Sequence, residues 1–157
     1  MVTEASVDRT DPRRPVLLLT RHLPHSVERV WRSLVDSEEA SRWFPCRVEI
    51  EPREGGVIAF IFDGEAPEIS HVSEFDPPHA LAYEWSGEHL RWTVEADGDG
   101  CILRLSNTII DPESAPRTAA GWDTCLEDLR ALLDGESGGG RSGVDEAKIA
   151  HYRAELA

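Results

Sequence analysis

The chain has 157 residues, 40% of them apolar and 29% charged, enough to bury one core without disulfide or metal staples, which excludes a disordered chain. Acids outnumber bases by 30 to 16, a formal charge of -14, and most of the excess lies within residues 16–134, so phosphate backbones and anionic lipid surfaces are repelled. No apolar run is long enough to span a bilayer, so neither nucleic acid nor membrane is expected as a partner and a cytoplasmic location is expected.

Residues 1–15 mix charges, Thr and Pro without periodicity, which predicts a frayed N-terminal arm. Val16 to His22 reads as a strand closed by Leu23-Pro24, because Pro cannot donate to a ladder. Ser26 can cap a helix in which Val27, Val30, Trp31 and Leu34 form one apolar stripe. Asp36 with Glu39 starts a second short helix that runs to Arg42 or Trp43 and is stopped by Pro45. Six strands follow, at 47–51, 57–62, 68–75, 80–85, 88–96 and 101–109, broken by Gly55-Gly56, residues 63–67, Asp76-Pro77-Pro78-His79, Ser86-Gly87 and Asp97-Gly98-Asp99-Gly100. Connections this short favour an antiparallel meander. A long helix at 113–134 presents Ala115, Ala119, Trp122, Leu126, Leu129 and Leu133 on one face. Residues 135–143 have the composition of a flexible Gly/Ser linker, and 144–157 form a helical appendage with the stripe Ile149, Tyr152 and Leu156. That stripe suits docking on its own domain or on a second copy, which leaves a homodimer open.

The fold class is therefore α+β: a curved seven-stranded antiparallel sheet wrapped round the long C-terminal helix, with two short helices after the first strand. Period-two alternation puts Leu81, Tyr83 and Trp85 on one sheet face, as it does Leu90, Trp92 and Val94, and Leu103 and Leu105. A bent sheet gripping one helix can leave an apolar hollow, which favours an apolar guest. The alternative is that the same side chains interdigitate and fill it.

Val27 to Asp36 followed by Arg42-Trp43-Phe44-Pro45 resembles the opening of the AHSA-type members of the START-like superfamily. Val72-Ser73-Glu74-Phe75-Asp76-Pro77-Pro78, Leu81-Ala82-Tyr83-Glu84-Trp85, Gly100 to Leu105, and Gly121-Trp122 with Leu126 and Leu129 continue the family's order and spacing over about residues 16–134. The resemblance implies a helix-grip fold, also called SRPBCC or polyketide-cyclase-like, with a hydrophobic cavity between sheet and long helix, and it implies no agreed activity. Asn107 stands near a position often occupied by His in the family, so an acid-base role assigned there elsewhere does not carry over.

The candidate cavity lining is Trp43 and Phe44 as an entrance lip, Phe60 and Phe62, Val72, Tyr83, Trp85 and Trp92, then Leu103, Leu105 and Asn107, with Trp122 and Leu126 as the facing wall. Glu74 joins this set because period two gives it the face of Val72; with the strand phase reversed it is simply solvated. A carboxylate buried there would hold a polar ligand group or work as a base. The six His show no metal-ligand spacing, Cys46, Cys101 and Cys125 no C-x-x-C, and Gly55-Gly56 no phosphate-cradling pattern, so neither metal nor cofactor is expected. The function that follows is binding of a small apolar or aromatic metabolite. Two alternatives are a cyclase or dehydratase acting on a carbonyl compound through Glu74 or Tyr83, and an interaction module like the activator of the heat-shock-90 chaperone ATPase.

Overall fold

In the computed structural model, residues 3–136 and 145–157 are described, and their strands form one antiparallel sheet of eight. The strands are β1 (Thr3–Asp8), β2 (Val16–Leu23), β3 (Arg47–Ile50), β4 (Val57–Ile61), β5 (Glu68–Asp76), β6 (Ala80–Trp85), β7 (Glu88–Asp97) and β8 (Gly100–Thr108). Their spatial order is β1-β2-β8-β7-β6-β5-β4-β3, so the meander from β3 to β8 is closed by β2 and flanked by β1. The eighth strand corrects the expected arm. All six residues of β1 pair with β2, and Ala5 and Val7 pack against the core. Two small apolar residues in a polar stretch are too weak an alternation to read from sequence alone.

Among the described residues four helices accompany the sheet: α1 (Val27–Val35), α2 (Ser37–Trp43), α3 (Ala115–Leu133) and α4 (Glu146–Glu155), with a 3-10 turn at Pro112–Ser114 leading into α3. The two predicted caps form: Ser26 Oγ accepts from Arg29 N at 3.1 Å, and Asp36 Oδ1 accepts from Glu39 N at 3.0 Å. Each satisfies an amide that the first helical turn leaves without a partner. All six residues of the α3 stripe are buried and turned to the sheet, and Leu17, Leu19, Leu90, Trp92, Leu103 and Leu105 meet them from the inner sheet face. Ile149, Tyr152 and Leu156 are also buried, and α4 lies against α3 of its own chain. Residues 137–143 of the expected linker lie outside the described residues.

The bend of the sheet is local. The first half of β5 pairs with β4, from Glu68 opposite Phe60 to His71 opposite Val57, whereas its second half pairs with β6. At the changeover the register slips: Val72 stands opposite Tyr83, but Glu74 stands opposite Ala82. A bulge of this kind adds one residue to one strand, bends it and inverts the side-chain alternation beyond it.

Candidate functional site

The inner face of the grip is a cluster of aromatic rings, contributed by the end of α2 (Trp43 and Phe44), by β4 (Phe60), by β6 (Tyr83 and Trp85), by β7 (Trp92) and by α3 (Trp122). Phe44 is its hub, with ring centroids 5.1 to 6.4 Å from those of Trp43, Phe60, Tyr83, Trp85 and Trp122. Trp92 meets Trp43 at 5.2 Å and Trp122 at 5.5 Å, both edge to face, and Trp85 meets Trp122 at 5.7 Å. Such edge-to-face contacts align the positive rim of one ring with the negative face of the next. Val72, Leu103, Leu105 and Leu126 are buried on the same inner face. Of the candidate lining, the structure brings together all but two residues, but Trp43 and Phe44, expected as an entrance lip, are buried inside the cluster, where the other rings enclose them.

Those two are Glu74 and Phe62. Because of the bulge, Glu74 leaves the face of Val72 and emerges on the outer surface, where Arg91 Nε and Nη2 reach its two carboxylate oxygens at 2.8 and 3.1 Å. The Arg91 hydrogen bond holds the Glu74 carboxyl below its ordinary range, the opposite of what an apolar cavity would do. Phe62 has the phase of Phe60, but β4 ends at Ile61; past the last paired residue it is 39% exposed. A strand period carries no authority beyond the ladder that enforces it.

Each buried polar atom of the cluster but one is paired within it, with Asn107 or with the backbone around it. Trp43 Nε1 donates to Ser33 O at 2.8 Å, and Trp92 Nε1 donates to the Tyr83 hydroxyl at 3.0 Å. Trp122 Nε1 donates to Asn107 Oδ1 at 2.9 Å, while Asn107 Nδ2 donates to Glu88 Oε1 at 3.0 Å and Ile110 N to Glu88 Oε2 at 2.9 Å. Asn107 is thus a fastening between β8, β7 and α3. Complete burial pushes the Tyr83 hydroxyl well above the usual phenol range, which leaves it a proton holder at any physiological pH. The exception is Trp85 Nε1, a buried N–H with no acceptor among the described residues. Trp85 itself is only partly buried, at the end of β6 beside the Ser86–Gly87 turn, whose two positive φ angles (52° and 79°) match the tight hairpin type that suits twisted strands.

A second feature, absent from the sequence reading, lies toward the β1 edge. Arg21 falls in phase with Leu17, Leu19 and Leu23 on the inner face and is 5% exposed. Its Nη2 lies 3.8 Å from Asp123 on α3, and the Asp123 carboxylate also accepts the hydroxyl of Tyr152 and stands 3.4 Å from Lys148 Nζ, both on α4. Burial raises the Asp123 carboxyl, but the Tyr152 hydrogen bond and the Lys148 and Arg21 charges outweigh it and the net displacement is downward. A crevice of about 420 Å³ opens beside these groups, with Arg130 and His151 on its rim. An arginine at an inward strand position was the sequence signal for this cluster. The three cysteines are buried and form no disulfide, and burial pushes the Cys101 thiol up to about 11, so it packs as a small apolar group. Among the described residues no group of three or more His, Cys, Asp and Glu is placed to hold a metal, and no helix is long and apolar enough to cross a membrane.

The sequence profile of the Activator of Hsp90 ATPase homolog 1-like family matches residues 24–134, from the start of α1 to the end of α3. The chain belongs to this family. Solved structures share its architecture at low identity. CalU16 from Micromonospora echinospora is 21% identical with a TM-score of 0.76, and the match covers 98% of each chain. EF2215 from Enterococcus faecalis is 17% identical with a TM-score of 0.79, over 97% of this chain and 90% of that one. DynU16, a protein of the dynemicin biosynthetic locus, is 18% identical with a TM-score of 0.70, over 80% of this chain and 50% of its own. Curated protein sequences give no match. For this AHSA1-like chain these likenesses establish the helix-grip fold, and the ring cluster occupies the space between its sheet and its long helix.

Proposed function

We propose that the protein binds a small, flat, apolar molecule against the ring cluster, at the end of the grip where Trp85 borders solvent. The observation that carries this reading is the concentration of seven aromatic rings between sheet and α3, with one of them partly exposed at the rim. Flat π faces give large contact area at little conformational cost, and they suit a guest with the same shape. Membership of the AHSA1-like family and the likeness to a protein from a biosynthetic locus support a small-molecule role over a structural one. Three buried cysteines outside any disulfide suit a reducing compartment such as the cytoplasm. The proton-transfer alternative loses its two nominated groups, since Glu74 is held outside by Arg91 and the Tyr83 hydroxyl is buried and engaged by Trp92.

Native mass spectrometry of protein purified from its own host tests the reading. A mass excess that disappears on denaturation is the expected result. A bare chain throughout, together with no calorimetric signal for flat aromatic probes, would overturn it.

A further inference from the structure

Resting on the binding reading above, we propose that the Trp85 indole N–H is the recognition donor, so that the guest is neutral and carries a hydrogen-bond acceptor on the edge of a flat ring system. Four indoles meet in the cluster, and three have their N–H engaged: Trp43 by Ser33 O, Trp92 by the Tyr83 hydroxyl, Trp122 by Asn107 Oδ1. Trp85 Nε1 is enclosed like the others and has no acceptor among the described residues. Native interiors leave few buried donors unpaired, and one at the solvent end of an aromatic wall is where a ligand atom would complete the set.

The surroundings decide the charge of the guest. The rings that touch Trp85 are Phe44, Phe60 and Trp122, none of which offers a cation to an anionic group. Two carboxylates that hydrogen-bond around the Ser86–Gly87 turn, Glu68 and Glu88, are engaged by Ser86 and by Asn107 with Ile110 N, and their charge repels a carboxylate or phosphate. A cationic centre has no lone pair for the indole N–H to donate to, so it cannot complete this donor. What remains is a neutral acceptor, of which a ring ketone is the simplest. The apolar part of the guest has a lip to enter over, because Ile110 is 51% exposed and lies against Gly87 at the same end.

The test pairs two probes of one shape, 9-fluorenone and fluorene, which differ only in C=O against CH2 at the ring edge. Titration calorimetry of the wild-type chain and of Trp85→Phe gives the affinity ratio of the two probes in each. A ratio about tenfold more in favour of fluorenone in the wild type than in Trp85→Phe is expected, the scale of one hydrogen bond to an otherwise orphaned donor. Equal ratios in the two proteins, with both probes bound, overturn the donor assignment and leave the binding reading standing. Binding of neither probe overturns the binding reading and the inference with it. Should Trp85→Phe fail to fold, the wild-type indole resonances decide: one of five should move downfield with fluorenone and not with fluorene, and five unmoved resonances with both probes bound refute the assignment.

Discussion

Replacing Asn107 by Leu removes a polar fastening while keeping the number of side-chain heavy atoms and their branching, and the structure sets the size of the loss. Asn107 is 1% exposed and Trp122 2%, so the indole N–H that loses Oδ1 has no water to turn to. An orphaned buried donor costs about 1–3 kcal/mol. Glu88 also loses the Nδ2 hydrogen bond, but it is partly exposed and keeps Ile110 N, so this adds on the order of 1 kcal/mol or less. Asn107→Leu should therefore cost about 1–4 kcal/mol, a drop in Tm of roughly 2–16 °C for a domain of this size. Urea unfolding followed by far-UV dichroism measures it, with an unchanged denaturant slope. The assignment to Trp122 is checked by a cycle: in a Trp122→Phe background, where no indole N–H exists, the same substitution should cost about 1 kcal/mol less. A cost under about 0.5 kcal/mol, or no coupling between the two positions, would refute the fastening.

Two further predictions follow from the charged groups. Glu74→Gln should cost about 1 kcal/mol or less at neutral pH and leave any retained guest in place, because the Glu74–Arg91 pair is exposed. The Glu74 pKa is lowered by the Arg91 hydrogen bond, so its contribution is present above the unfolded carboxyl value and lost as pH falls through the folded one. The gap between wild type and variant should close in acid; a gap that widens there would contradict the outward placement. Tyr152→Phe should loosen α4, seen as faster amide exchange over residues 146–155 with exchange in β6–β8 unaltered. Burial first, and then the Asp123 carboxylate, push the Tyr152 hydroxyl up to about 12 from 10.0, so its contribution is full below pH 10 and fades as pH rises through about 12. Uniform exchange along the chain in the variant would show that Tyr152 does not secure α4.

Much of the architecture was readable because burial imposes a period. Leu90, Trp92 and Val94 alternate, Ala119, Trp122, Leu126 and Leu129 step by three or four, and both sets lie inside as that spacing requires. Ser26 and Asp36 were readable for another reason: a cap is local chemistry between a side chain and amides three residues on. What escaped depends on contacts distant in sequence. Ser73 and Glu74 carry no mark of the bulge, which arises where β5 changes partners, and the inversion it causes put Glu74 on the wrong face. β1 was hidden because an edge strand needs only half a pattern, here Ala5 and Val7. The aromatic members of the site were legible one by one. The state of their polar atoms was not, since which indole lacks an acceptor depends on where Ser33, Tyr83 and Asn107 come to lie.

The chain of ring contacts running Trp43, Trp92, Trp122, Trp85 has an optical consequence. Chromophores this close share excitation: their near-ultraviolet transitions mix, and energy absorbed by the deepest indole can hop outward before it is emitted. Light absorbed by any of the four is thus shared with Trp85 at the rim. The protein carries a built-in antenna whose emission reports on whatever touches its outermost member.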